Sequence, residues 1–303
     1  MNQVPTIACL TGSGTAPELM AEALYALEAV GRVHGFTIDQ VHAPFGGVAV
    51  TQAGQTVPPG TRDAVLGADA VLIAGADDPA LDEVMAELDL RARVTRVRFG
   101  RGDDVVFFTA AHDSTSEWAI RRAFETAEVR RLRLACVGDA EWCELVEMAA
   151  LDHEHVRVEH VSPKDAIPFS AFDPARFDLV AVEPRWAEAV VEVAAAAASH
   201  RVSATALLAE HGPSLFVPSP DGGFALAGHG MVNPSSMLLA AALALEYGIG
   251  ERSAAQTLAG AVSAALVEAP ETPSLLRRMS TTREFTQRVL ASFQLTMRNA
   301  EFA

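Results

Sequence analysis

The stretch TIACLTGSGTAPELMAEALYALEAV, Thr6–Val30, changes its hydrophobic period part-way through. Thr6–Leu10 is a short apolar run with the composition of a buried strand. It ends in the glycine-rich TGSGTAPE, Thr11–Glu18, where Pro17 sits at a first helical turn that tolerates proline. Beyond it, Leu19, Ala23, Leu24, Leu27 and Val30 recur at helical spacing. Strand, tight turn and helix in succession form the repeating unit of an α/β fold, with helices covering a sheet.

The alternation continues in both directions along the chain. Gly31 and Gly35 punctuate the first helix, Thr37–His42 alternates as a strand does, and Ala70–Ala74 is a continuous apolar run fit for a buried strand. A second series begins near Arg98. Strands are expected at Val105–Thr109, Leu132–Val137, Val156–Val161 and Phe177–Val182. Helices are expected at Ser116–Val129, Glu141–Leu151 and Trp186–Ala198. After Ser203 come short strands or loops, then helices at Ser235–Tyr247, Ser253–Val267 and Thr282–Phe293.

Composition narrows the function classes. Of 303 residues, 50% are hydrophobic and 20% charged, enough to bury a sizeable core. The formal net charge of -16 opposes phosphate backbones and anionic membranes, so neither nucleic acid nor membrane is expected as a partner. The three cysteines, Cys9, Cys136 and Cys143, lack the spacing of a disulfide framework, and Cys9 and Cys136 lie in apolar runs as small buried hydrophobes. The opening MNQVPTIACL is short and uncharged for a signal peptide, and no apolar run is long enough to span a bilayer. These features lead us to expect a soluble cytoplasmic protein.

Six ordered segments together resemble the β-decarboxylating dehydrogenases of the isopropylmalate/isocitrate dehydrogenase family. They are GSGTAPE at Gly12–Glu18, GGVAVTQAGQTVP at Gly46–Pro58, Leu88–Leu90 with the arginines that follow, FDLVAVE at Phe177–Glu183, LFVPSPDGGFALAGHGMVNP at Leu215–Pro234, and STTREFTQRVL at Ser280–Leu290. The resemblance implies an isopropylmalate dehydrogenase-like α/β fold of two domains, with central sheets flanked by helices. A discontinuous first, cofactor-side domain would combine residues 1–97 and 204–303. Residues 98–203 would form a second, dimerisation domain. A homodimer is implied, or a heteromer with a catalytic relative.

The family reaction oxidises a 2-hydroxy acid with NAD(P) and then releases CO2. By resemblance it needs Mg2+ or Mn2+ on carboxylates, a lysine base, a tyrosine acid and arginines that clamp the substrate. This chain departs from that set. Its two tyrosines are Tyr25 and Tyr247, and its single lysine is Lys164. The family's lysine position falls on Asp139, within CVGDAEW, and Lys164 falls where a metal-binding aspartate is expected, with Asp165 adjacent if the frame shifts by one residue. An acid and a base have thus changed places, and an Asp139–Lys164 ion pair is one expectation; two unrelated surface charges are the other. Glu188 and Glu192, four residues apart within EPRWAEAVVEVA, fall on the other two metal carboxylates. They are either a residual cation site or a solvated helix face.

Two substrate-arginine positions read Met85 and Thr95. Arg96 and Arg98 remain nearby to meet an anion, although their alternation also suits a strand with one solvated face. In the cofactor loop the family's glutamate, histidine and ribose-binding aspartate fall on Val217, Pro220 and Ala225. Gly228, Gly230 and Asn233 remain of the cofactor-binding set, and tight turns alone explain the glycines. His112 stands in the polar loop HDSTSE, as a candidate acid–base group or as part of a helix cap.

Three readings follow. One is a noncatalytic family member, structural, regulatory or ligand-sensing, that has lost NAD-dependent oxidative decarboxylation. Another is a repurposed enzyme using Asp139, Lys164, His112, Glu188 and Glu192. The third is a divergent NAD-dependent 2-hydroxy-acid dehydrogenase. A small-molecule ligand fits any of them.

Overall fold

The computed structural model describes residues 4–75, 80–99, 104–111, 115–198, 202–219, 223–267 and 281–301. The chain divides into two compact units, Met1–Asp89 with His211–Ala303, and Leu90–Glu210. The first unit is discontinuous.

The first unit opens with strand β1 (Thr6–Thr11) and helix α1 (Ala16–His34). Strand β2 (Asp39–Pro44), helices α2 (Gly46–Ala53) and α3 (Pro59–Leu66), strand β3 (Ala70–Ala74) and helix α4 (Ala80–Met85) follow. After the second unit the chain returns as β10 (Ser214–Pro218), α9 (Ser235–Leu243), α10 (Arg252–Val267) and α11 (Thr282–Glu301).

The first unit's strands run parallel in the order β2-β1-β3-β10. Ile7, Ala8, Cys9 and Leu10 of β1 and all of β3 are buried, as continuous apolar strands covered on both faces must be. Helix α9 is apolar and buried from Met237 to Leu243, packed against α1 and β10. Its continuation, Ala244–Ile249, widens into a π-helical turn. There Gly248 lets the backbone approach the sheet: an added Cβ would stand 2.7 Å from the Cβ of Ala70 and 3.0 Å from the Phe216 ring.

The second unit comprises β4 (Leu90–Arg98), β5 (Asp104–Ala110), α5 (Ser116–Glu128), β6 (Arg133–Val137), α6 (Ala140–Ala150), β7 (Arg157–Val161), α7 (Pro163–Phe172), β8 (Leu179–Val182), α8 (Pro184–Ala197) and β9 (Val202–Ala209). Its strand order is β9-β4-β5-β8-β6-β7. β4 pairs antiparallel with β9 and β5, and the remaining pairs are parallel. Val97, Val105, Phe107, Val137, Val180, Val182 and Val190 centre its core. Both β4 and β9 belong wholly to this unit, so the boundaries expected at 97/98 and 203/204 fall on strands that pair with each other. Among the described residues, no helix is long and apolar enough to cross a membrane.

β4 corrects one expectation. Arg96 and Arg98 do not line a solvated face, for both are buried, at 4% and 7% exposure. Their charges meet Asp104, the first residue of β5 and the register partner of Arg98. Arg96 Nε lies 3.2 Å and Arg98 Nη1 3.8 Å from its Oδ2, while Arg130 Nη2 lies 2.9 Å from Oδ1. Arg130 also holds Asp178 Oδ1 at 2.7 Å. Burial alone would raise the Asp104 pKa. The charges of Arg96, Arg130 and Arg98 outweigh it and hold the carboxyl well below its ordinary range.

A carboxyl held low in the folded chain adds stability that is present above its unfolded pKa of about 3.9 and is lost as pH falls toward the folded value. Asp104→Asn is therefore expected to cost about 3 kcal/mol at neutral pH, by leaving buried guanidiniums uncompensated. Urea unfolding across pH checks this: the gap between wild type and variant should stay constant near neutrality and narrow below about pH 4.

Candidate functional site

Residues that the sequence marks as chemical lie in both units, and the structure gives most of them a local structural task. Asp139 is the N-cap of α6. Its Oδ1 accepts from the backbone N–H of Trp142 at 3.1 Å, its Oδ2 accepts from Arg185 Nη2 at 2.7 Å, and its own N–H donates to Glu183 Oε2 at 2.9 Å. Lys164 stands exposed in the first turn of α7, which Ser162 caps by accepting from Asp165 N at 3.3 Å. The expected Asp139–Lys164 pair does not form within the chain, because Arg185 takes the carboxylate.

Glu188 and Glu192 are both exposed on α8, opposite its buried residues Ala187, Val190 and Ala194. Among the described residues neither belongs to a group of three ligating side chains close enough to hold an ion. His112, like Pro220, lies outside the described residues.

The turn retained from the cofactor loop is built on backbone geometry. Gly228 and Gly230 have φ of +78° and +61°, a region that favours glycine. The Gly228 N–H donates to Glu18 Oε1, and the Gly230 carbonyl accepts from Thr282 N at 2.8 Å. Asn233 Oδ1 accepts from Ser235 N at 3.0 Å, at the start of α9. Ala225, which the family resemblance sets against the ribose, is exposed and carries no acceptor side chain.

One cluster escaped the sequence reading. Cys136 is buried in β6 as expected, but its Sγ lies 3.6 Å from that of Cys143 on α6. Across the strand pair Cys136 is in register with His160 of β7, and His160 Nε2 is 3.2 Å from Glu147 Oε1. Register between strands carries this grouping, and linear spacing does not reveal it. The helix that supplies Cys143 is held close by Trp142. A Cβ added at Gly138 would stand 2.4 Å from Trp142 Cδ1, and Trp142 Nε1 donates to the Ala181 carbonyl at 3.2 Å.

The family model for isocitrate/isopropylmalate dehydrogenase matches residues 116–289, more than half of the chain. The chain belongs to this family. It is 29% identical to a 3-isopropylmalate dehydrogenase of Synechococcus sp. (strain CC9605), over 89% of this chain and 93% of that one. It is 27% identical, over the same shares, to one from Prochlorococcus marinus (strain MIT 9313). Among solved structures, a β-decarboxylating dehydrogenase from Thermococcus kodakarensis superposes with a TM-score of 0.83 at 20% identity, covering 98% of each chain. Isocitrate dehydrogenase from Methylococcus capsulatus gives 0.78 at 19%, covering 96% of this chain and 100% of that one. At such identities the structures speak for the fold alone.

Within the family fold, Asp139 acts as a cap. Asp139→Asn should keep α6 intact, because asparagine caps as well as aspartate, whereas Asp139→Ala should lose about 1 kcal/mol. Thermal unfolding of the two variants separates the cap from the charge: equal losses would show that the ion pair with Arg185 matters more than the cap.

Proposed function

We propose that this chain is a noncatalytic member of the isocitrate/isopropylmalate dehydrogenase family, a regulatory or ligand-sensing subunit that has left NAD-dependent oxidative decarboxylation behind. The observation that carries the reading is the state of the base position. By family resemblance a lysine belongs where Asp139 stands, and the Asp139 carboxylate is engaged by the Trp142 N–H and by Arg185. Those two contacts give the Asp139 side chain a structural task, and the position carries no amine to serve as the family's lysine does. The chain's single lysine is exposed on α7, and neither tyrosine lies in the second unit.

The residues also fit the family's cofactors poorly. Glu188 and Glu192 supply two exposed carboxylates with Lys164 at the expected third position, and an ammonium there repels a divalent cation. A dinucleotide ribose would meet Ala225 in place of an acidic partner. The Gly228 N–H and Asn233 Oδ1 already have partners within the chain. Arg96 and Arg98 face Asp104, which satisfies charges that a substrate carboxylate would otherwise meet. A family fold without these groups remains able to bind a small metabolite and to pair, with a second copy or with a catalytic relative.

Thermal shift tests the reading. Ligand binding only to the folded chain raises its stability, by about 2.7 kcal/mol at a hundred times the dissociation constant. NAD or NADP at millimolar concentration, with Mg2+ or Mn2+, should leave the melting temperature unchanged. A saturable rise with a dinucleotide, enlarged by 3-isopropylmalate or isocitrate, would overturn the proposal.

A further inference from the structure

The β6–α6–β7 corner brings together donors that the proposed function does not use. Cys136 and His160 are register partners on adjacent parallel strands, so both side chains leave the same face of the sheet. Cys143 reaches them from the first turns of α6. The two sulfurs and a ring nitrogen of His160 all lie within 4.8 Å of one another. Glu147, one turn beyond Cys143 on the same helix, reaches the imidazole from the side.

Cys136 Sγ and Cys143 Sγ stand 3.6 Å apart, with the Cys136 thiol donating to Cys143. Two thiolates at about 2.3 Å from a tetrahedral zinc ion stand about 3.8 Å apart, so the pair could take up an ion with little movement. Two sulfurs and an imidazole are soft or borderline donors, which select zinc over the hard Mg2+ and Mn2+ of the family reaction. Burial is graded in the way an entry path requires. Cys136 is fully enclosed and Cys143 half-buried, while His160 and Glu147 are exposed.

The scaffold around the cluster is rigid. The Asp139 cap and the contact of Trp142 with Gly138 fix the first turn of α6, and with it Cys143. β7 is the outermost strand of its unit and buries only Val161; its ladder to β6 and the Arg176–Glu159 and His160–Glu147 ion pairs hold it. An ion shared by β6, α6 and β7 would add a further hold.

We propose that Cys136, Cys143 and His160 bind one zinc ion, with water in the fourth position and Glu147 orienting the His160 ring, and that the ion fastens β7 to the body of its unit. Binding displaces the two thiol protons to solvent and leaves both sulfurs as thiolates. This proposal is independent of whether the chain retains catalysis.

The test uses the full chain, reduced and stripped of metal. Zn2+ titrated in competition with a chromogenic chelator should saturate at one ion per chain and raise the melting temperature. Co2+ should give a thiolate-to-cobalt charge-transfer band and the intense visible spectrum of a tetrahedral ion. Cys143→Ser and His160→Ala lie outside the fully buried core and should fold as the wild type does by circular dichroism, yet lose both signals. Glu147→Gln should weaken Zn2+ binding by roughly tenfold or more. The proposal is overturned by a reduced chain that takes up no stoichiometric Zn2+. It is equally overturned by an octahedral cobalt spectrum without thiolate absorption, or by binding undiminished in Cys143→Ser. Formation of a Cys136–Cys143 disulfide in a chain that binds no metal when reduced would assign the pair to redox chemistry instead.

Discussion

The antiparallel pairing of β4 with β9 is the constraint on which the chain's organisation rests. A unit inserted into another unit's sequence must begin and end in the same place. The pairing does this, running from Leu90 opposite Ala209 to Arg98 opposite Val202, and Arg91 meets Glu210 beside its open end. It makes β4 an inner strand, with β9 on one side and β5 on the other. Arg96 and Arg98 are thereby taken out of water, while Arg93 stays exposed. Asp104, partly buried, and Asp178, fully buried, are the response, and together they keep Arg96, Arg98 and Arg130 compensated. Charges that a binding site would expose are consumed in closing the unit.

The same economy recurs at the positions that family resemblance marks for chemistry. Asp139 begins a helix and holds Arg185. Asn233 starts α9, and the Gly228 N–H is bound by Glu18. Each is a short-range contact that stabilises the fold whatever ligand is present. Packing of β1, β3, α1 and α9 asks only for apolar residues of suitable size, so a family fold persists at 19–20% identity to solved relatives. Catalysis asks for particular atoms, which a shared fold does not guarantee.

The sequence was most legible where hydrophobic period and punctuation agree. Ala70–Ala74 was expected as a strand and has those bounds, and the α5, β6 and α6 expectations differ from the structure by a residue or so at their ends. Helices α2, α3 and α7 were not foreseen. α2 and α3 are eight residues each with few buried positions, and α7 carries Pro168 in its interior, so their periodicity is weak. Alternation at Arg96 and Arg98 leaves both an anion contact and one wet face open, because period alone does not distinguish solvent or ligand from a buried counter-charge. The thiol–imidazole cluster depends on which residue of β7 faces Cys136, a non-local fact that linear spacing does not contain.

The central claim is that this chain retains the fold of its family without the family reaction. The most direct measurement is formation of NADH or NADPH by the purified protein, with Mn2+ and either 3-isopropylmalate or isocitrate, beside an active family member. The account predicts no signal above the enzyme-free background with either cofactor. Turnover that scales with protein concentration and disappears on chelation would contradict it.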